Sequence, residues 1–523
     1  MKEKVKNFIE QDGLYVFTAL CLLVMTLLIA TVTFDGENYN IHIPFKSVFG
    51  NVAYIGIILV GGTASILLRN IDRKNIPLHK VYLAVVIPLG ILYCLANPLG
   101  KVTDEDNHAR KAISIADGNF FAHADKKGDA FHKFNAKLDP LVNRLIDTYA
   151  ESYDKIMIPD TDEEISLVYT TMALYNPLCH MPQAAGIALA RLIGGDIVWQ
   201  CYFGRIMNFA VAVFFVYQAI KVMPFKKHLI MFLGLLPATL TSFASMSSDA
   251  FTIGICLYWT AYIMNLKFND DKKEINKKDI AILMSVSIGI ALCKIVYLPL
   301  CLLLFLIPKE KFGSLKKKNI IVIVTFAISV ILNIVWLAYC SRFLVEFNYG
   351  VNSAEQVKFI LTHPFSYILI LVRTMNVYNQ ILILGICGES LGHYNVQASV
   401  MYIYPCIALF FMLFVTNDEK VKIDWKTKLM CLFVFVATVL LIYTSVYVQW
   451  NPVNKPIING VQARYFIPIL LLTALVYNND KIVMNGSVSK RYILLFMIFF
   501  SLNVLACTAY TYIYGDVIDF YIK

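Results

Sequence analysis

Apolar runs long enough to cross a bilayer, about 20 residues each, recur along the chain and alternate with short segments dense in lysine and arginine. Hydrocarbon offers backbone polar groups no water, so only helices or closed barrels span it, and the alternation of a barrel strand is absent. The first runs cover residues 14–34, 47–68 and 81–97. Acidic Asp35 and Glu37 separate the first two, and Arg69, Arg73 and Lys74 precede the third. Basic loops stay on the cytoplasmic side, which predicts an amino terminus inside and Pro98 outside. From Pro98 to about Asp196 the chain is largely polar, with stretches such as 135–149 read as surface helices.

Later runs fall at 198–221, 229–245 and 249–266, returning to the inside at the lysines between 267 and 278. The run 280–307 is flanked by dense lysine at both ends, which a single crossing does not allow. It reads as a helical hairpin, broken near Lys294–Pro299 by a lysine and a proline. Residues 319–341 then lead outward to a second outer loop, 342–399, whose apolar stretch 365–387, interrupted by Arg373, Asn376, Asn379 and Gln380, reads as a membrane-surface helix pair rather than a span. Runs at 400–415, 429–449, 465–477 and 492–513 complete the series and predict a carboxyl terminus outside. The expected fold class is an all-α polytopic membrane protein of about 11–13 transmembrane helices. Residues 1–80 form a two-helix addition, 81–477 the membrane core, and 478–523 a loop and last helix.

Composition agrees, with 58% hydrophobic and only 16% charged residues. The net charge of +10 changes nothing, because basic residues such as Lys226/Lys227, Lys316–Lys318 and Lys420–Lys428 sit at span ends and set topology; nucleic acid is not an expected partner. The 12 cysteines are scattered singly with no CxxC, which predicts small apolar fillers. The first run lacks a small-residue cleavage site and reads as a retained helix.

The densest ionisable group, Asp104-Glu105-Asp106-Asn107-His108, directly follows the third run. A helix beginning near Thr103, with Thr103 as its cap, sets Asp104 and His108 on one face and turns Glu105 about 100° away. Such a carboxylate can act as a general base, or Asp104 and His108 can hold a divalent cation, Mg or Mn, against a phosphate. The plain alternative is a solvated acidic helix start favoured by the helix dipole. Arg205, Asp249, Lys294 and Arg464 lie at span ends or within apolar runs, where charge is expensive and is usually paired or functional. Arg205 and Arg464 suit bidentate phosphate contacts; their alternatives are snorkelling or an ion pair of Asp249 with one of them. Tyr175-Asn176-Pro177, then Met181-Pro182-Gln183 and Gly186, read as a broken approach to the membrane.

Together with Gly204-Arg205-Ile206-Met207-Asn208, Leu236-Pro237, Ser248-Asp249-Ala250, Lys294-x-x-Tyr297-Leu298-Pro299 and Gln462-Ala463-Arg464-Tyr465-Phe466-x-Pro468, these motifs resemble a bacterial family of predicted membrane proteins, over roughly residues 95–469. That family is similar in architecture to the C-type glycosyltransferases, which take a sugar from a polyprenyl-phosphate carrier. Thr103, Ala463 and Cys179-His180 depart from the family's usual Pro, Gly and aromatic. The resemblance implies a bacterial cytoplasmic-membrane enzyme with membrane lipid around it. The enzyme moves a sugar from a polyprenyl-phosphate-linked donor to an extracytoplasmic glycan or glycolipid acceptor, with inversion. It implies Asp104 or Glu105 as base and His108, Tyr175, Arg205, Asp249, Lys294, Tyr297, Gln462 and Arg464 as substrate-binding residues. The competing expectation is a transporter or flippase for a lipid-linked or anionic solute.

Overall fold

The computed structural model describes residues 32–35, 38–41, 76–138, 163–168, 170–343, 349–388, 390–391, 396–398, 400–484 and 487–514. The two runs expected before residue 70 lie almost wholly outside these. Strands β1 (Val32–Asp35) and β2 (Asn38–Ile41) pair antiparallel, so a helical first run cannot extend through Phe34 as expected.

The chain is an all-α polytopic membrane protein. Among the described residues, five helices are long and apolar enough to cross a membrane: α1 (Leu78–Ala96), α4 (Ile197–Val222), α9 (Leu315–Cys340), α11 (Pro364–Ile386) and α13 (Trp425–Trp450). Short helices α2 (Glu105–Ala116) and α3 (Met181–Leu192) lie between α1 and α4. Three further apolar segments are interrupted. Helices α5 (Lys227–Leu235) and α6 (Pro237–Phe243) meet at Leu236, because Pro237 has no N–H to continue the ladder. Helix α7 (Asp249–Phe268) leads to the predicted hairpin, in which α8 (Lys277–Cys293) ends at extended Lys294 and the 3-10 helix Ile295–Leu306 returns. Ile275 N–H to Lys311 C=O at 2.8 Å closes its base. The third interruption is the 3-10 helix Ala463–Ile469, which holds Pro468 and leads into α14 (Leu470–Val476).

The helix pair expected on the membrane surface within 365–387 is instead one continuous helix, α11, long and apolar enough to cross a membrane, and the short helix α10 (Ser353–Thr362) precedes it. Helices α12 (Val400–Val415) and α15 (Ser487–Tyr514) match the remaining runs. In the first long loop, Asn135 ends strand β3 (Phe131–Asn135), Ala136–Leu138 is a 3-10 turn, and the rest of the stretch 135–149 read as surface helix lies outside the described residues. Strand β3 pairs with β4 (Glu164–Val168) in a register that sets Phe134 opposite Ile165. Alternation in Phe-His-Lys-Phe drives one side chain in two inward, and Phe134 is buried with Leu99, Ala112, Ile113, Ile187 and Met246. This small core seats α2 on the end of the bundle that carries the long loop, hereafter the loop face.

Described cysteines are free and, except Cys340, buried. Helices α3 and α4 cross closely because residue 186 is glycine: a Cβ there would stand 2.2 Å from the carbonyl oxygen of Phe203. A Cβ on Gly204 would meet the flexible tip of Met246 at 3.1 Å. Gly186→Ala should therefore lower stability by about 1–3 kcal/mol, the usual cost of overpacking, and Gly204→Ala by clearly less. Thermal unfolding of the two variants in detergent checks this, and equal midpoints would show that the crossing yields at both points.

Candidate active site at the loop face

Helix α1 ends at the loop face with carbonyls that have no helical partner, as every helix does. Arg205, on α4, reaches them: its Nη1 donates to the carbonyls of Cys94 and Asn97 at 2.8 and 2.6 Å, and its Nη2 to that of Pro98 at 2.9 Å. Its remaining N–H groups go to Glu105, Nε to Oε1 at 2.7 Å and Nη2 to Oε2 at 2.6 Å. All five guanidinium donors are thereby spent. Glu105 accepts two more bonds, from Gly100 N–H and Met246 N–H, both at 3.0 Å. The pair is sealed, with side-chain exposures of 0% and 1%. Beside it, Asn208 holds the carbonyls of Ser245 and Ser247 at 2.7 and 2.9 Å, and Gln183 holds that of Met246 at 3.2 Å. These residues fix the turn that presents Asp249 at the start of α7.

A second charged group stands beside this scaffold. Arg464, at the start of the 3-10 helix Ala463–Ile469, donates from Nε to Asp249 Oδ2 at 2.6 Å and from Nη2 to Asp104 Oδ2 at 2.5 Å. Lys294, at the hairpin tip, donates to Asp249 Oδ1 at 2.5 Å. The order is linear: Asp104, Arg464, Asp249, Lys294. Asp104, at 38% side-chain exposure, is the open end of a chain whose other members are at 14%, 5% and 17%.

Asp104 does not behave as a cap. It holds the left-handed conformation, φ 63°, makes no side-chain bond to its helix, and turns its carboxylate to Arg464. Thr103 is not the N-cap either; that position belongs to Asp104. A non-glycine residue in this region is uncommon, and such conformations gather at functional sites. Burial pulls the Asp104 carboxyl up, but the guanidinium of Arg464 outweighs it and holds the group below the ordinary carboxylate range.

Every residue of this arrangement falls within 88–473, the stretch that matches a family model described as predicted membrane protein (DUF2142). The chain belongs to that family. No curated protein and no solved structure matches it.

Within the DUF2142 core, aromatic side chains line the charged group. Lys294 Nζ lies 5.0 Å from the centroid of the Tyr465 ring, and Tyr297 donates its hydroxyl to the Tyr465 carbonyl at 2.8 Å. The Tyr175 ring packs edge-on against His108 at 5.2 Å. His108 Nδ1 and His180 Nε2 are 2.8 Å apart, and His180 Nδ1 is 3.3 Å from Cys179 Sγ. Burial, reinforced by His180, pushes the His108 imidazole down to about 3, so it is neutral at physiological pH. The Gln462 Oε1 is buried next to Arg464 with no hydrogen-bond partner among the described residues.

The motifs thus divide into two sets. Asp104, Asp249, Lys294, Arg464, Tyr175, Tyr297 and Gln462 surround one site, and the ion pair weighed for Asp249 is present, with Arg464. Glu105 and Arg205 are elsewhere, locked on each other, with no free N–H on Arg205 for a phosphate. Tyr465, His180, Gln183 and Asn208 were not singled out in the sequence, although all four sit inside or beside its motifs. Among the described residues, no three His, Cys, Asp or Glu side chains converge as a metal-binding group.

Proposed function

We propose that the protein is a bacterial cytoplasmic-membrane glycosyltransferase, in the manner of the C-type enzymes, with the loop face extracytoplasmic, the amino terminus inside and the carboxyl terminus outside. It moves a sugar from a polyprenyl-phosphate carrier to a glycan or glycolipid. The observation that carries this reading is a half-open carboxylate, Asp104, within one hydrogen bond of an arginine that belongs to a buried two-cation group.

In the proposed reaction an acceptor hydroxyl oxygen attacks the anomeric carbon from the face opposite the phosphate. The new C–O bond forms as the bond to the phosphate oxygen breaks with its electron pair, and the hydroxyl proton passes to Asp104. Arg464 and Lys294 offset the charge that develops on the leaving phosphate. Asp249 positions both cations. Glu105 and Arg205 hold the backbone on which Asp104 stands, so the base is assigned to Asp104 rather than to Glu105. The charged side chains gather at one end of the bundle rather than along a path through it, which favours transfer over transport.

The pH dependence has a definite sign. Asp104 acts as base only when ionised, and its folded pKa is depressed, so activity is present above that pKa and is lost only as pH falls through it. The acid limb of kcat/KM for the donor, which reports the free enzyme, should therefore lie below the ordinary Asp value of about 3.9. An acid limb near pH 6 to 7 that disappears in no Asp104 variant would place the base elsewhere. The decisive assay is transfer of labelled sugar from a panel of polyprenyl-phosphate sugars to extractable glycolipid or glycan. Counterflow of a labelled donor across proteoliposomes without transfer would instead favour a flippase.

A further inference from the structure

The linear order Asp104, Arg464, Asp249, Lys294 holds two carboxylates and two cations, so it is balanced before any ligand arrives. An anionic ligand can gain a full contact with Arg464 only by taking a place that a carboxylate now holds. The two carboxylates are not equally able to yield. Asp249 has both oxygens engaged, is buried, and lies in the first turn of α7, where the helix dipole favours negative charge. Displacing it would strand a buried charge. Asp104 is engaged through one oxygen, is the most exposed of the four, and sits outside its helix in the left-handed conformation.

We infer that the Asp104–Arg464 contact is a displaceable pair: a phosphate entering the site takes Arg464 and releases Asp104, so phosphate binding precedes and enables use of the carboxylate as a base. This rests on the proposed glycosyltransferase reading and adds an order to it, carrier phosphate first and acceptor hydroxyl second. It also removes a difficulty in that reading, because a carboxylate tied to a guanidinium is a poor proton acceptor. Once Arg464 turns to the phosphate, Asp104 loses its charge-assisted contact, and burial together with the negative charge of the phosphate favours its proton. The base is then strongest only when a donor is present.

Competition of this kind has a counter-intuitive signature. Binding of citronellyl phosphate, a short isoprenyl phosphate, is measured by calorimetry on the full chain in detergent, with citronellol as the control for the lipid tail. Asp104→Asn and Asp104→Gly should each bind the phosphate about two- to fivefold more tightly than wild type, the upper range of a partly exposed ion pair, while binding of citronellol stays unchanged. Glycine adopts the left-handed conformation freely, so the second variant keeps the test valid if the first folds poorly. Glu164→Gln, at the exposed surface pair with Lys133, controls for net charge and should bind as wild type does. Equal or weaker phosphate binding in both Asp104 variants, with clear binding by wild type, would overturn the displaceable pair and leave the phosphate site standing. Absence of phosphate-dependent binding in every form would overturn the glycosyltransferase reading and the pair with it.

Discussion

An Asp104→Asn protein should insert, fold and unfold thermally as wild type does, yet transfer sugar at about a hundredth to a ten-thousandth of the wild-type rate, the range lost when a positioned general base is removed. The expectation of normal folding comes from the backbone. Asparagine tolerates the left-handed conformation as aspartate does, and Asp104 makes no capping bond whose loss would shorten α2. Arg464 keeps its bond to Asp249. Membranes carrying either form, assayed with the same panel of polyprenyl-phosphate sugars, give the comparison. Wild-type transfer by the variant would falsify the role given to Asp104. Its combination of lost transfer with tightened phosphate binding separates a base from a residue that merely holds the donor.

The second large effect is on stability, at a site a few residues away. Arg205→Met should leave Glu105 buried and without its cation, at a cost of about 3–5 kcal/mol. The protein should be recovered in low yield with a markedly lowered unfolding midpoint. Arg205→Lys should fare little better, because one ammonium cannot serve the Glu105 carboxylate and the three α1-end carbonyls that the guanidinium holds together. Glu105→Gln tests the same pair from the other side, since Arg205 then keeps a buried charge. The measurement is the thermal midpoint of each variant alongside its transfer rate per folded molecule. A stable Arg205→Lys protein that has lost only transfer would return Arg205 to the ligand-binding set expected from the sequence.

These two experiments separate residues that look alike in one dimension. Asp104 and Glu105 are neighbours, and Arg205 and Arg464 both stand at the ends of apolar runs. Both acidic residues were candidate bases and both arginines candidate phosphate ligands. Helical periodicity would put Glu105 about 100° away from Asp104, but Asp104 stands outside α2 in the left-handed conformation, and Glu105 goes inward to α4 while Asp104 reaches the 3-10 helix at 463–469. Which of the two was spent on structure depended on what lay on the far side of each.

Much of the fold needed no such knowledge. The bilayer obliges each spanning segment to satisfy its own backbone and to turn mostly apolar side chains to lipid, and that constraint acts locally, so it is written locally. Runs such as 198–221, 319–341 and 400–415 accordingly appear as helices over nearly the same residues. The lysines at both ends of 280–307 revealed a hairpin, and a proline and lysine inside it marked the break. The polar loops were less legible: β3 and β4 are amphipathic only in relation to each other and to the small core beneath α2.

By itself, then, the sequence determined the membrane class, the positions of the long apolar helices α1, α4, α9 and α13, the interrupted hairpin and the set of charged residues too costly to be idle. Tertiary structure decided how those charges are paired. Glu105 meets Arg205 across 100 residues of chain, and Asp104 meets Arg464 across 360. No local pattern encodes such pairings, because a buried charge is stabilised by whichever partner the packing of distant helices brings within about 3 Å, and only that packing separates the sealed pair from the open one.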